Sequence, residues 1–285
     1  MAKVYMLTET SPFMMSFVIV TDKDNCIVID GGRREDMPLL KKYVGKRKIK
    51  AWFLTHAHND HIDGFVYEMG KDGGADFDIE NVYYNFVDYD ALKKKTGMPD
   101  REYFLAELEE MMPAFNAVKD KFKDKARIIS QGDTLYIDEL KINVLFSLHD
   151  GLYSNLMNDS SLVFKVTGKK KSVLFLGDLG PEGGDVLLRE SGDKLKADVV
   201  QMAHHGHMDV SMDVYAAIGA KECLWCAPIW LYEEKAVPDW MTEEWINKDK
   251  KRMRMYGTAV TRRRMEILGA TKHYVSGFGT QELEI

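Results

Sequence analysis

The chain has 285 residues, 45% of them apolar and 29% charged, which supports a sizeable core and excludes a disordered chain. Its 39 basic and 45 acidic residues give a net charge of −6, so it is not a globally basic nucleic-acid binder, although a local basic groove stays open. Three cysteines, Cys26, Cys223 and Cys226, are too few and of the wrong parity for a disulfide framework and suit a reducing compartment.

Taken in chain order, Phe13 to Val20 is an apolar run interrupted by Ser16 and closed by a polar turn, which predicts a strand over Ser16–Val20 and not a secretion signal. Cys26–Ile29 predicts the next strand, Met37–Val44 a helix, and Ala51–Leu54 and Asn81–Phe86 further strands. Arg101–Phe122 is strongly amphipathic, with Pro113 expected to kink or split it. The segment from about 65 to 125 reads as a helical insertion between core elements. Strands follow at Lys141–Phe146, Ser161–Val166, Ser172–Leu176, Ala197–Met202 and Glu222–Ala227, with helices at Glu182–Glu190, Val210–Ile218 and Met241–Leu268. A helix and strands from about 230 to 285 close the chain. Alternation of this kind gives an α/β layered architecture, and no linker divides it, so residues 1–285 are expected to form one domain. No stretch approaches the roughly 18 apolar residues that span a bilayer. The expectation is a soluble, cytoplasmic protein without a membrane partner.

One spacing repeats. Strand Cys26–Ile29 leads into Asp30, and His56 follows 26 positions later at the end of another strand. Strand Ser172–Leu176 leads into Asp178, and His204 follows 26 positions later, again at a strand end. Two similar β/α halves, each ordered strand–Asp, helix, strand–His, are expected.

The densest chemistry is Thr55-His56-Ala57-His58-Asn59-Asp60-His61. Three imidazoles and a carboxylate within six positions are ligands for zinc, manganese or iron, and packing them so tightly without a cation leaves polar rings in want of separate partners. His56 and His58 can converge on one ion from an extended turn, while Asp60 and His61 face a second position. Asp178 and the His204–His205 pair also follow apolar strands and can reach the same sheet edge.

These residues resemble the H-x-H-x-D-H signature of the metallo-β-lactamase fold superfamily. Val28-Ile29-Asp30-Gly31-Gly32, Phe175-Leu176-Gly177-Asp178 and His204-His205-Gly206 are similar to further motifs of that family. Within it, Asn158-Asp159-Ser160-Ser161-Leu162-Val163 and Ala203-His204-His205-Gly206 look most like the hydrolase-like domain of bacterial competence DNA-uptake channels and its free-standing relatives. The resemblance implies an αββα four-layer sandwich and one or two divalent ions, zinc or manganese, with iron as a further option. It implies metal ligands His56, His58, Asp60, His61, Asp178 (bridging) and His205, with Asp30 orienting the metal-binding loop. His205 is favoured over His204 because it directly precedes Gly206, as in related motifs; His204 is left to orient water or a leaving group. Asp60 doubles as a catalytic residue that orients the nucleophile or handles its proton. The third-motif histidine of the family is missing: Asn158 stands near its place, and His149 is a substitute only if its loop folds back. A first site without that imidazole suits manganese, or leaves one site empty.

The implied activity is a metal-dependent hydrolase using a metal-bound hydroxide, on a phosphodiester or other phosphorylated, small or nucleotide-like substrate. The alternatives are a lactone or thioester hydrolase of the glyoxalase II kind, and a metal-binding sensor or partner module without turnover. Cys223 and Cys226 lie in an apolar strand and are read as buried structure. His207 is read as a rim residue; His273, in a C-terminal strand, is read as either an ordinary packed or exposed histidine or a rim residue. The denser basic stretch, Lys248–Lys251, Arg252, Arg254 and Arg262–Arg264, would favour a phosphorylated substrate if it faced the metals. Trp230, Tyr232, Trp240 and Trp245 suggest a pocket wall or an aromatic mini-core.

Overall fold

The computed structural model describes residues 1–10, 13–94, 101–149, 152, 156–207, 210–233 and 257–285. In chain order the described strands are β1 Lys3–Met6, β2 Ser16–Val20, β3 Cys26–Asp30, β4 Lys48–Phe53, β5 Asp78–Ile79, β6 Val82–Tyr84, β7 Ala126–Ile128, β8 Thr134–Ile137, β9 Leu140–Phe146, β10 Val163–Thr167, β11 Ser172–Phe175, β12 Val199–Gln201, β13 Glu222–Trp225, β14 Lys272–Val275 and β15 Gln281–Glu284. The described helices are α1 Met37–Val44, α2 Asn59–Asp72, α3 Tyr89–Lys94, α4 Arg101–Val118, α5 Leu156–Asp159, α6 Pro181–Ser191, α7 Met212–Ile218, α8 Ile229–Glu233 and α9 Thr258–Ile267.

The strands form two sheets, ordered β15-β1-β2-β3-β4-β6-β7 (with β5 beside β4) and β14-β13-β12-β11-β10-β9-β8. Alternation along each strand sends one set of side chains between the sheets and the other under the helices. Phe17, Ile27, Ile29, Phe53, Phe164, Val173 and Phe175 belong to the inter-sheet core. Val18, Val28, Trp52, Leu54, Leu174 and Leu176 pack on the outer side, with Leu40 of α1, Phe65 of α2 and Leu187 of α6. Phe53 stacks on Phe164 at 4.7 Å between ring centroids, and Phe17 meets Phe175 edge-on at 5.1 Å. Burial on both faces is why these strands appear in the sequence as unbroken apolar runs. The architecture is the expected αββα sandwich.

The repeated spacing has a structural counterpart. β3–α1–β4 and β11–α6–β12 are both strand–helix–strand units whose strands pair in parallel. Asp30 and Asp178 therefore follow matching strands, as do His56 and His204, and all four stand at one edge of the sandwich.

Two expectations change, and one strand was not foreseen. The segment from 65 to 125 is not purely a helical insertion: α2 begins at Asn59, and β6 within the segment pairs with β4 and then β7, extending the first sheet. α4 runs unbroken through Pro113, because burial of Met111, Met112 and Phe115 offsets the single backbone hydrogen bond a proline forfeits. β1, four residues long and buried on one face only, carries too short an alternation to be recognised in the sequence, yet it pairs with both β2 and β15. Of the helix expected over Met241–Leu268, Thr258–Ile267 is helical; the remainder up to residue 256 lies outside the described residues, as do Trp240, Trp245, Lys248–Lys251, Arg252 and Arg254. No described helix is long and apolar enough to cross a membrane.

Candidate metal centre

The site is assembled from chain that leaves the carboxyl ends of β3, β4, β11, β12 and β13. Asp30 ends β3 in the left-handed region, at φ 53°, with its carbonyl held by the indole N–H of Trp52 at 2.6 Å. Its carboxylate accepts from the Thr55 backbone N–H and the Thr55 hydroxyl, both at 2.7 Å. The same carboxylate lies 2.7 Å from His61 Nδ1. A carboxylate on Nδ1 fixes the ring and its tautomer and leaves Nε2 free to ligate. The Gly32 N–H donates to the His61 carbonyl at 3.1 Å, which seals the β3 loop onto the start of α2.

His56 Nε2 and His58 Nδ1 stand 3.0 Å apart. Asp60 occupies the first turn of α2, where the helix N-terminus favours a carboxylate. Across the site, His205 donates from Nδ1 to the Cys226 carbonyl at 2.7 Å, so its Nε2 faces inward, 3.1 Å from Asp60 Oδ2 and 3.4 Å from Asp178 Oδ2. His61 Nε2 lies 3.2 Å from the same Asp178 oxygen. Two sets of three donors lie within 4.8 Å of one another: His56, His61 and Asp178, and Asp60, His61 and His205. His61 therefore belongs to both sets, where the sequence spacing assigned it to the second position alone.

His204 lies further out, its Nε2 3.8 Å from Asp178 Oδ2 and its ring 4.2 Å from that of His207. Both His204 and His205 adopt left-handed backbone, at φ 47° and 56°, and this turn decides which imidazole points inward. His149 goes elsewhere: its loop turns toward α6, and Nε2 lies 3.3 Å from Glu190 Oε1. Asn158 is buried in α5, and its Oδ1 has no hydrogen-bond partner among the described residues. His273 accepts the Trp225 indole N–H at 3.0 Å, a structural role and not a rim role. Trp230 faces Phe13, which packs 5.3 Å from His205, so it lines the site; Tyr232 packs on Trp225 and belongs to the aromatic core. Cys223 and Cys226 are buried free thiols, as read from the sequence, and so is Cys26.

Supporting residues come from the Asn158–Val163 motif and from outside any motif. Asp159 Oδ1 accepts the Gly183 N–H at 2.7 Å in the first turn of α6, and the Ser161 hydroxyl accepts the Asp178 N–H at 3.1 Å. Gln201, a polar residue at the end of an apolar strand, grips the turn before Asp178. Its polarity in that setting is the one signal that could have singled it out.

The residues fit a cation. His61 Nε2 and Asp178 Oδ1 are buried without a hydrogen-bond partner among the described residues. Burial would lower His205, but Asp178 and Asp60 outweigh it and carry it up to about 10. Burial is likewise overcome at His61, which Asp178, Asp30 and Asp60 raise well above the usual imidazole range. Asp178, despite its burial, is held well below the usual carboxylate range by His61, His205 and His204. His56 is pushed well below its ordinary value by burial and by His61, and presents a neutral ring. The carboxylates thus demand nearby positive charge, which a divalent cation supplies while using the Nε2 lone pairs.

This fold is the metallo-β-lactamase fold, and its clustered His and Asp side chains make a candidate centre for metal-dependent hydrolysis. Residues 13–67 match the model of the Metallo-beta-lactamase superfamily. The match names the superfamily and not its competence-channel branch. No curated protein matches the chain. Among solved structures it is similar to the metallo-beta-lactamase fold protein YhfI from Bacillus subtilis, with a TM-score of 0.53 and 14% identity over 100% of both chains. It is also similar to CmlA, a diiron beta-hydroxylase from Streptomyces venezuelae, with a TM-score of 0.58 and 10% identity over 100% of this chain and 54% of that one. Tm1679, a metal-dependent hydrolase of the beta-lactamase superfamily, gives a TM-score of 0.50 and 12% identity over 100% of this chain and 99% of that one.

Proposed function

We propose that the chain hydrolyses a phosphodiester or other phosphorylated small molecule, nucleotide-like in size, with one or two zinc or manganese ions held by His56, His58, Asp60, His61, Asp178 and His205. The observation that carries the metal assignment is the convergence of His56, Asp60, Asp178 and His205 on His61, which both donor sets share; His58 stands outside both sets, with its Nδ1 3.0 Å from His56 Nε2. The substrate class is supported by α9, which carries Arg262–Arg264 and packs beside the histidine turn: the Thr261 hydroxyl donates to the His207 carbonyl at 3.2 Å. Arg262 donates to the Tyr232 carbonyl at 2.8 Å and Arg263 to Glu266 at 2.9 Å, so the support is the positive charge of this helix beside the turn, which favours an anionic substrate.

The metal, when bound, lowers the pKa of water and polarises the phosphoryl oxygen. The chain's own residues do the rest. Asp60, with 14% of its side chain exposed, orients the attacking water and accepts its proton at the carboxylate. The new bond joins the water oxygen to phosphorus, and the bond to the leaving oxygen breaks. His204, at 23% exposure and beside Asp178, donates a proton to that leaving oxygen. Phe13 and Trp230 exclude water from one side of the site.

The test is turnover of bis-p-nitrophenyl phosphate by zinc- or manganese-loaded protein, set against thioester and lactone panels, with metal content measured on the same sample. Phosphodiester turnover that disappears in His58→Ala supports the reading. Turnover confined to thioesters or lactones moves the protein to the glyoxalase II kind. Bound metal without any single-turnover product points to a metal-binding module.

A further inference from the structure

Gln201 closes β12 with no solvent exposure. A buried amide is costly unless its donors and acceptor are met, and here all are. Oε1 accepts the backbone N–H groups of Leu176 and Gly177, each at 2.8 Å. Nε2 donates to the carbonyls of Gly177 at 3.0 Å and Met202 at 2.6 Å. The Gly177 carbonyl also accepts the His204 N–H at 3.1 Å. One side chain therefore ties the turn that carries Asp178 to the turn that carries His204 and His205.

The sheet itself cannot make this link. The parallel register between β11 and β12 ends at Leu174 opposite Val200. Past that point the strands part to present their ligands, and Gly177 enters the left-handed region at φ 58°. Between the end of the paired register and the one direct peptide-to-peptide bond, from the His204 N–H to the Gly177 carbonyl, the Gln201 amide supplies the hydrogen bonds that the strands no longer make.

We infer that Gln201 is a positioning residue of the metal centre, whose amide sets the separation between the Asp178 carboxylate and the His205 imidazole that a shared cation needs. That separation is 3.4 Å between Oδ2 and Nε2. The inference rests on the reading above that Asp178 and His205 are metal ligands.

The full chain, stripped with a chelator and titrated with Co2+, tests it through visible absorption and calorimetric affinity. Gln201→Met removes all four hydrogen bonds at similar volume; Gln201→Glu keeps the acceptor and removes both donors. Ser191→Ala is the control, because the Ser191 hydroxyl makes one buried hydrogen bond, to the Leu145 carbonyl at 2.9 Å, at the far end of α6. Gln201→Met is expected to bind Co2+ roughly 10–100-fold more weakly with an altered spectrum, the usual effect of removing support from a ligand. Ser191→Ala is expected to lower the melting temperature of the stripped protein and leave the Co2+ titration unchanged. If Gln201→Met does not fold, Gln201→Glu carries the same readout. Parental affinity and spectrum in a folded Gln201 variant overturn the inference, as does equal weakening in Ser191→Ala. A parent chain that binds no Co2+ overturns the metal reading itself, which is a different result.

Discussion

Asp30 Oδ2 lies 2.7 Å from His61 Nδ1, and both side chains are wholly buried. Because His61 belongs to both donor sets, its orientation governs the whole site. Asp30→Ala leaves the Thr55 backbone N–H unmatched and strips His61 Nδ1 of its carboxylate, leaving it only the Thr55 hydroxyl at 3.3 Å. Metal affinity is expected to fall by about 10–100-fold, as for other carboxylates that support a ligating histidine. Competition with a coloured chelator measures it, and parental affinity in Asp30→Ala would show that His61 needs no such support.

Adjacent histidines are expected to separate cleanly. His205 is anchored through Nδ1 to the Cys226 carbonyl and directs Nε2 inward, whereas His204 stands 3.8 Å from Asp178 at the rim. His205→Ala should lose bound metal by elemental analysis. His204→Ala should keep its metal and lose turnover, with kcat falling more than KM changes. Equal metal loss in both variants would refute this division of roles.

Gly206 adopts φ 90°, and a Cβ there would come within 2.5 Å of the Trp225 ring. Gly73 adopts φ 73° with open space around it. Gly206→Ala incurs left-handed strain of about 1–2 kcal/mol plus about 1–3 kcal/mol of overpacking, while Gly73→Ala incurs the strain alone. Urea melts should show the larger loss at Gly206, together with weakened metal binding. Equal losses at the two glycines would mean that the Trp225 contact relaxes freely.

Far from the site, Asp138 joins the β8–β9 turn to the β2–β3 turn. Its carboxylate accepts from the Thr21 hydroxyl at 2.7 Å and the Asn25 amide at 2.9 Å, and it faces Lys23 at 3.4 Å. Burial opposes ionisation, but these three groups outweigh it and hold the carboxyl below its ordinary 3.8. A depressed folded value stabilises the protein above the unfolded pKa, and that contribution disappears as the pH falls through the folded value. Asp138→Ala should therefore be less stable at neutral pH, by about 1.5–3 kcal/mol for lost hydrogen bonds to a charged group. The gap should narrow on acidification below the usual carboxylate range. Denaturant melts across pH check this, and a gap that widens in acid contradicts it.

Much of the candidate site was legible before folding because its densest candidate ligands are local. His56, His58, Asp60 and His61 lie within six positions and one strand-to-helix turn, so spacing alone brings them together. The two strand–Asp, strand–His units were legible too, since strands buried on both faces leave unbroken apolar runs that end where polar ligands begin. What remained was decided by contacts between segments far apart in the chain. The left-handed turn at His204 and His205, held to the Gly177 carbonyl and the Cys226 carbonyl, selects the inward imidazole. His149 turns to Glu190, and His61 is shared between the two donor sets. Gln201 acquires its importance only because β11 and β12 part beside it. Sequence alone determined which chemistry the chain brings to one sheet edge; tertiary structure decided which atom of each side chain faces it, because that depends on backbone hydrogen bonds with no local signature.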